Sequence, residues 1–103
     1  MKHYRVVFTQ TVDEEIDAQV NYLIEQQVSA ERLTSWLNRL LGVIDSLEQW
    51  PHRLPVSQDE TAIKGFEIRK LVFGNYLVHY RVDDNSQLVE VLSFRHGAQR
   101  PEP

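Results

Sequence analysis

The last strand-like run of the chain ends Val91-Leu92-Ser93-Phe94-Arg95-His96-Gly97-Ala98-Gln99-Arg100. Arginine presents a rigid fork of donors to anions, and histidine changes charge near neutral pH, so this ending is equipped for binding or for proton transfer. Gly97 can take a backbone shape that stops the ladder and bares the His96 imidazole. Upstream, alternation puts Tyr76, Val78, Tyr80 and Val82 on one side of a strand and Leu77, His79 and Arg81 on the other. Arg69 on the strand before and Arg95 on the strand after make a cationic patch on one sheet face geometrically available, with Lys70 and Arg100 near its margins. The ordinary fate of a strand arginine is solvent, or a carboxylate such as Glu67 or Glu90 across the ladder.

Other chemistries have little support. His3, His52, His79 and His96 show no metal-ligand spacing and no i, i+4 pair, so no metal is expected. There is no glycine-rich phosphate loop and no nucleophile elbow around Ser93 and His96. The run Asp13-Glu14-Glu15 with Asp17 falls in the first turns of a helix, where carboxylates suit the macrodipole, and is read as structural. Trp36 and Trp50 are expected in the core, as are Tyr76 and Tyr80.

The elements that must position these residues are legible from periodicity. Tyr4 to Phe8 is β-branched and aromatic, which suits a strand. Thr11 and Glu14 have the spacing of a capping box, predicting a helix whose stripe is Ile16, Val20, Leu23 and Ile24. Ser29 caps a second helix, with Leu33, Trp36, Leu37, Leu40, Leu41, Ile44 and Leu47 on one face. Trp50-Pro51 stops it, because proline lacks an N–H and disfavours helix in the residue before it. Pro51 to about Thr61 reads as a loop. Phe66 to Phe73, Tyr76 to Val82 and Leu88 to Phe94 then read as an antiparallel meander, its first turn made by Gly74-Asn75. The order is βααβββ, an α+β fold in which an antiparallel sheet carries a two-helix hairpin on one face and leaves the other free for partners.

The totals are those of a single domain over residues 1–103. Such a length buries roughly 65% of the surface of the unfolded chain. With no cysteine, disulfides and thiolate sites are excluded. The N-terminal apolar run is too short for a signal peptide or a membrane span, so a cytoplasmic protein is expected. A formal charge of −4 argues against general nucleic-acid binding. The acid surplus sits in residues 1–60, with five Lys or Arg against ten Asp or Glu, whereas residues 61–103 hold six against five.

The order βααβββ, the hairpin Ile68-Arg69-Lys70-Leu71-Val72-Phe73-Gly74-Asn75-Tyr76-Leu77-Val78-His79-Tyr80-Arg81-Val82 and the ending Val91 to Arg100 together resemble the RelE/ParE superfamily of bacterial toxins. The resemblance implies the toxin half of a type II toxin–antitoxin module, bound by a cognate antitoxin that represses the shared operon. It implies no cofactor. Within that superfamily, RelE-like members cut messenger RNA on the ribosome without metal, and ParE-like members block DNA gyrase by contact. Where the ribonucleases carry arginine after the strand tyrosine, here Tyr76, this chain has Leu77. The Val-Leu-x-x-x-His-Gly ending and the pair Tyr80-Arg81 are more ParE-like.

The expectation is therefore a ParE-like gyrase binder whose target contacts come from Arg69, Arg81, Arg95, His96 and Arg100. The alternative is a RelE-like ribonuclease, an enzyme whose catalytic group would be His96, Arg95, Arg81 and Lys70. A third class is an inert relative that keeps only the fold.

Overall fold

A computed structural model describes residues 3–97. Strand β1 (Arg5–Phe8) leads into helices α1 (Gln10–Glu25) and α2 (Ala30–Asp45). Two 3₁₀ turns, Ser46–Glu48 and Pro51–Arg53, and a short helix α3 (Gln58–Lys64) precede β2 (Arg69–Phe73), β3 (Tyr76–Asp83) and β4 (Leu88–His96). The strands lie in the order β1-β4-β3-β2. β2, β3 and β4 form the expected antiparallel meander. β1 joins β4 in parallel, so the sheet is mixed. The helical hairpin between β1 and the meander supplies the long crossover that parallel pairing requires.

The two helices press their apolar stripes on one face of this sheet. Val12 and Ile16 from α1, Leu40 and Ile44 from α2, and Leu47 just beyond it meet Leu71, Val78, Tyr80, Val89, Val91 and Phe94. Each such aliphatic side chain taken fully out of water contributes about 1.5–3 kcal/mol before the entropy of ordering is subtracted. Val89, Val91 and Phe94 are spaced by two and then three residues, yet all face the core. The register with β3 slips by one residue between His79 and Tyr80, which opposes Ser93 to His79 and Val91 to Tyr80 and leaves Leu92 as the extra residue of a bulge. Simple alternation along β4 misses this.

Helix ends explain several departures from the sequence reading. α1 is capped by Thr9, not by a Thr11–Glu14 box. The Thr9 hydroxyl accepts from the Val12 N–H at 3.3 Å and donates to the Val91 carbonyl at 2.9 Å, so one side chain starts the helix and ties it to β4. The earlier start brings Val12 into the core, while Ile24 is 55% exposed. α1 ends with Gln27 in the left-handed region at φ 61. There Gln27 N–H donates to Ile24 and Val28 N–H to Leu23, the pairing of a Schellman turn. Ser29 caps α2 as expected, its hydroxyl accepting from the Arg32 N–H.

The segment read as a loop is partly helical. Ser57 accepts from the Glu60 N–H at the start of α3, and Gly65 at φ 82 closes it. Ser-x-x-Glu followed by Gly is a helix signature, obscured here by the shortness of the helix and by the prolines before it. Trp50 is also not in the core: it is 67% exposed.

Candidate functional site

Pairing in the ladder decides which face each candidate occupies, since directly opposed residues share a face. Lys70 opposes His79, Val72 opposes Leu77, His79 opposes Ser93, Leu77 opposes Arg95 and Arg81 opposes Glu90. These residues lie on the sheet face away from α1 and α2. Arg69 opposes Tyr80 and His96 opposes Tyr76, which places both on the helix side. The fold therefore brings Lys70, Arg81 and Arg95 to one face and sends Arg69 and His96 to the other. Arg100 lies outside the described residues.

The outer face is not left free, because α3 reaches over part of it. Glu60 on α3 lies 3.9 Å from a guanidinium nitrogen of Arg95, whose Nε is 3.8 Å from Glu15 of α1. Arg81 is held by Glu90 across the ladder at 3.2 Å and by Asp83 at 3.9 Å. Its guanidinium also sits 5.1 Å above the ring of Phe66, in the turn that follows α3. Lys70 makes no ion pair among the described residues.

His79 lies within this face at 7% exposure, its Nδ1 3.0 Å from the Ser93 hydroxyl. Burial pushes its pKa below the ordinary value; Glu60 opposes that shift, and Arg95 and Lys70 reinforce it. Burial therefore favours the neutral ring. Ser93 and His79 are both buried and pair with each other.

Arg69 serves the fold. One of its nitrogens donates to the carbonyls of His52 and Leu54 at 2.9 and 2.6 Å, and the other to Glu67 at 3.0 Å. It anchors the connecting segment to β2, where Val56 also bridges to Arg69.

His96 occupies the end of the sheet. Its ring stands edge-on to Tyr76 with centroids 5.4 Å apart, and Tyr76 stacks on Phe94 at 4.9 Å. Gln19 donates to the Tyr76 hydroxyl at 2.7 Å. Burial, and then Tyr22, raise the Tyr76 phenol above its ordinary pKa. Two open clefts meet at His96. One of about 430 Å³ is lined by Glu15, Gln19, Tyr22, Phe94 and Arg95, and one of about 370 Å³ by Val72, Asn75 and Leu77 at the hairpin turn. Gly97 lets the chain close against that turn: its N–H donates to Asn75 at 2.6 Å, and a Cβ would lie 3.0 Å from the same carbonyl.

The half-buried His96 imidazole stands against the Tyr76 ring, while the guanidinium of neighbouring Arg95 lies between the carboxylates of Glu15 and Glu60. Among the described residues no group of three His, Asp or Glu side chains is placed to hold a metal. No helix among the described residues is long and apolar enough to cross a membrane.

The comparisons with known proteins bear on this geometry directly. Residues 6–101 match the family described as the ParE toxin of the type II toxin–antitoxin system, parDE. No curated protein sequence matches the chain. Among solved structures, a chain of the toxin–antitoxin complex RelBE2 from Mycobacterium tuberculosis superimposes with a TM-score of 0.59 at 21% identity, over 96% of this chain and 97% of that one. At that identity the likeness concerns the fold, which is the RelE/ParE one. With 6–101 of its 103 residues matched, the chain belongs to the ParE toxin family of type II toxin–antitoxin systems.

Proposed function

We propose that this toxin inhibits growth by binding rather than by cleavage, with DNA gyrase as its target, and that a cognate antitoxin neutralises it. The observation that carries this reading is the state of the two guanidinium groups on the outer face, Lys70 being the outer-face cation with no ion pair among the described residues. Arg81 is matched by Glu90 and Asp83, and Arg95 by Glu15 and Glu60. Metal-free cleavage of RNA needs uncommitted positive charge against the phosphorane and a base within reach of the 2′-OH. Leu77, directly opposite Arg95, contributes hydrocarbon where that charge would be wanted. A binding toxin has no such requirement. An antitoxin partner is supported by family membership and by the likeness to a chain of a toxin–antitoxin complex. Both proposed partners place the protein in the bacterial cytoplasm.

Two assays on the purified protein decide the target. Supercoiling of relaxed plasmid by gyrase should be inhibited, and ribosome-bound message should stay intact. Normal supercoiling together with cut message, abolished by His96→Ala, would establish the ribonuclease reading instead. Induction that leaves bacterial growth unchanged would identify an inert relative.

A further inference from the structure

The loop after α2 carries a residue that folding alone does not account for. Trp50 is 67% exposed and sits in the left-handed region at φ 52, ψ 51. A bulky aromatic side chain is unfavourable in that conformation, and an exposed indole forgoes the burial it would gain in a core. Nor is the loop loose. Arg53 donates to the carbonyls of Gln49 and Trp50 at 2.7 and 3.2 Å. On the other side, Pro51 is fully buried and its carbonyl accepts from the Tyr80 hydroxyl at 2.6 Å. The backbone is clamped before and after the indole, which is held outward.

We propose that Trp50 is a preformed docking anchor, the side chain through which this toxin seats itself in an apolar pocket with a basic rim on gyrase. The proposal rests on gyrase being the target. An amphipathic ring carried on a backbone that is already ordered is the residue type that dominates protein interfaces. The indole N–H has no acceptor among the described residues and is available to a pocket carbonyl or carboxylate. Charge selects the kind of partner. Asp45 and Glu48, both exposed and outside any ion pair among the described residues, precede the anchor, while Arg53, also exposed, donates to main-chain oxygens and to the Ser46 hydroxyl, so two carboxylates stand against one cation around the ring. That setting repels phosphate and favours a pocket bordered by Lys or Arg, which makes the contact one with protein and not with the DNA that gyrase holds.

Supercoiling inhibition by the full chain, compared with Trp50→Gly and Trp50→Phe, tests the anchor. Glycine accepts φ 52 without strain, so Trp50→Gly should melt at or above the wild-type temperature yet inhibit roughly tenfold less or worse. Trp50→Phe should fall between. Inhibition by Trp50→Gly equal to wild type would overturn the anchor and leave the gyrase target standing. A wild-type chain that does not inhibit gyrase at all would instead remove the target, and the anchor with it. A second readout uses the chain labelled with 5-fluorotryptophan, whose two fluorine resonances are assigned from Trp50→Gly. Addition of gyrase should move the Trp50 resonance and leave that of Trp36 near its place. An unmoved Trp50 resonance, or a concentration-dependent shift of it in the absence of gyrase, would overturn the proposal, the latter by pointing to a second copy of the chain as the occupant.

Discussion

The Glu15 carboxylate on α1 accepts a hydrogen bond from the main-chain N–H of Phe94 on β4 at 3.0 Å. β1 pairs with β4 only as far as Phe8 opposite Val91, and Thr9 N–H takes the Val91 carbonyl at 3.2 Å. Beyond that point β4 continues to His96 with no strand on this side among the described residues, and Glu15 supplies the acceptor that a further strand would have given. Unpaired edge donors invite other strands, so the contact protects the edge as well as fixing α1.

Glu15→Ala should therefore destabilise the fold by about 1–2 kcal/mol, the cost of leaving a part-buried N–H unmatched. Glu15→Gln keeps an acceptor and should lose less. Urea unfolding of the two variants checks the difference, and equal losses would mean that charge against Arg95, not the hydrogen bond, is what matters.

Arg69 bridges three acceptors at once, two of them carbonyls of the connecting segment. Arg69→Lys retains the charge but loses the planar fork, so it should cost about 2–3 kcal/mol despite its conservative appearance. The expected signature is a lowered urea midpoint, with faster proteolysis in the 51–57 segment. An unchanged midpoint would show that water replaces these bonds without loss.

Tyr80 is fully buried and donates to Pro51 at 2.6 Å. Tyr80→Phe should cost about 1–2 kcal/mol by orphaning that carbonyl. Burial raises the phenol to about 12, with Arg69 and Arg53 pulling the other way. A group whose pKa is raised on folding stabilises the fold fully below its unfolded value, near 10, and the contribution is lost as pH rises through the folded value. Stability should thus fall between about pH 10 and 12 more steeply in the wild type than in Tyr80→Phe, as read from thermal melts.

His79 gives the opposite dependence. Its pKa is lowered by burial, so the unfolded chain takes up a proton first as pH falls below about 6.5, and the folded state loses stability. Melting temperatures between pH 7.5 and 5 should drop further for the wild type than for His79→Gln. Coincident profiles would show that the ring stays solvated.

Much of the architecture was readable because it depends on local patterns. The α2 stripe, the Ser29 cap, the Gly74-Asn75 hairpin and the three meander strands each follow from side-chain period or turn chemistry within a few residues, and the family resemblance rests on the same stretches. The sequence also marked Glu67 and Glu90 as natural partners for Arg69 and Arg81, and both ion pairs are made. α3 was legible in principle from Ser57, Glu60 and Gly65, but a two-turn helix carries too few positions for a periodic signal.

What chemistry the cations can perform was decided only by tertiary structure. Arg95 reads as available until the chain folds, because the carboxylates that hold it, Glu15 and Glu60, are separated from it by 80 and 35 positions along the sequence. The slip at Leu92 decides which side chains of β4 face the core, and the parallel seating of β1 decides where the edge opens for Glu15. Trp50 shows the same limit in reverse: its type predicts burial, and only the clamped turn, with Arg53 and Tyr80 drawing the backbone inward on either side, turns the ring out to water. Electrostatic partners and side-chain directions depend on long-range closure, which composition and period do not encode.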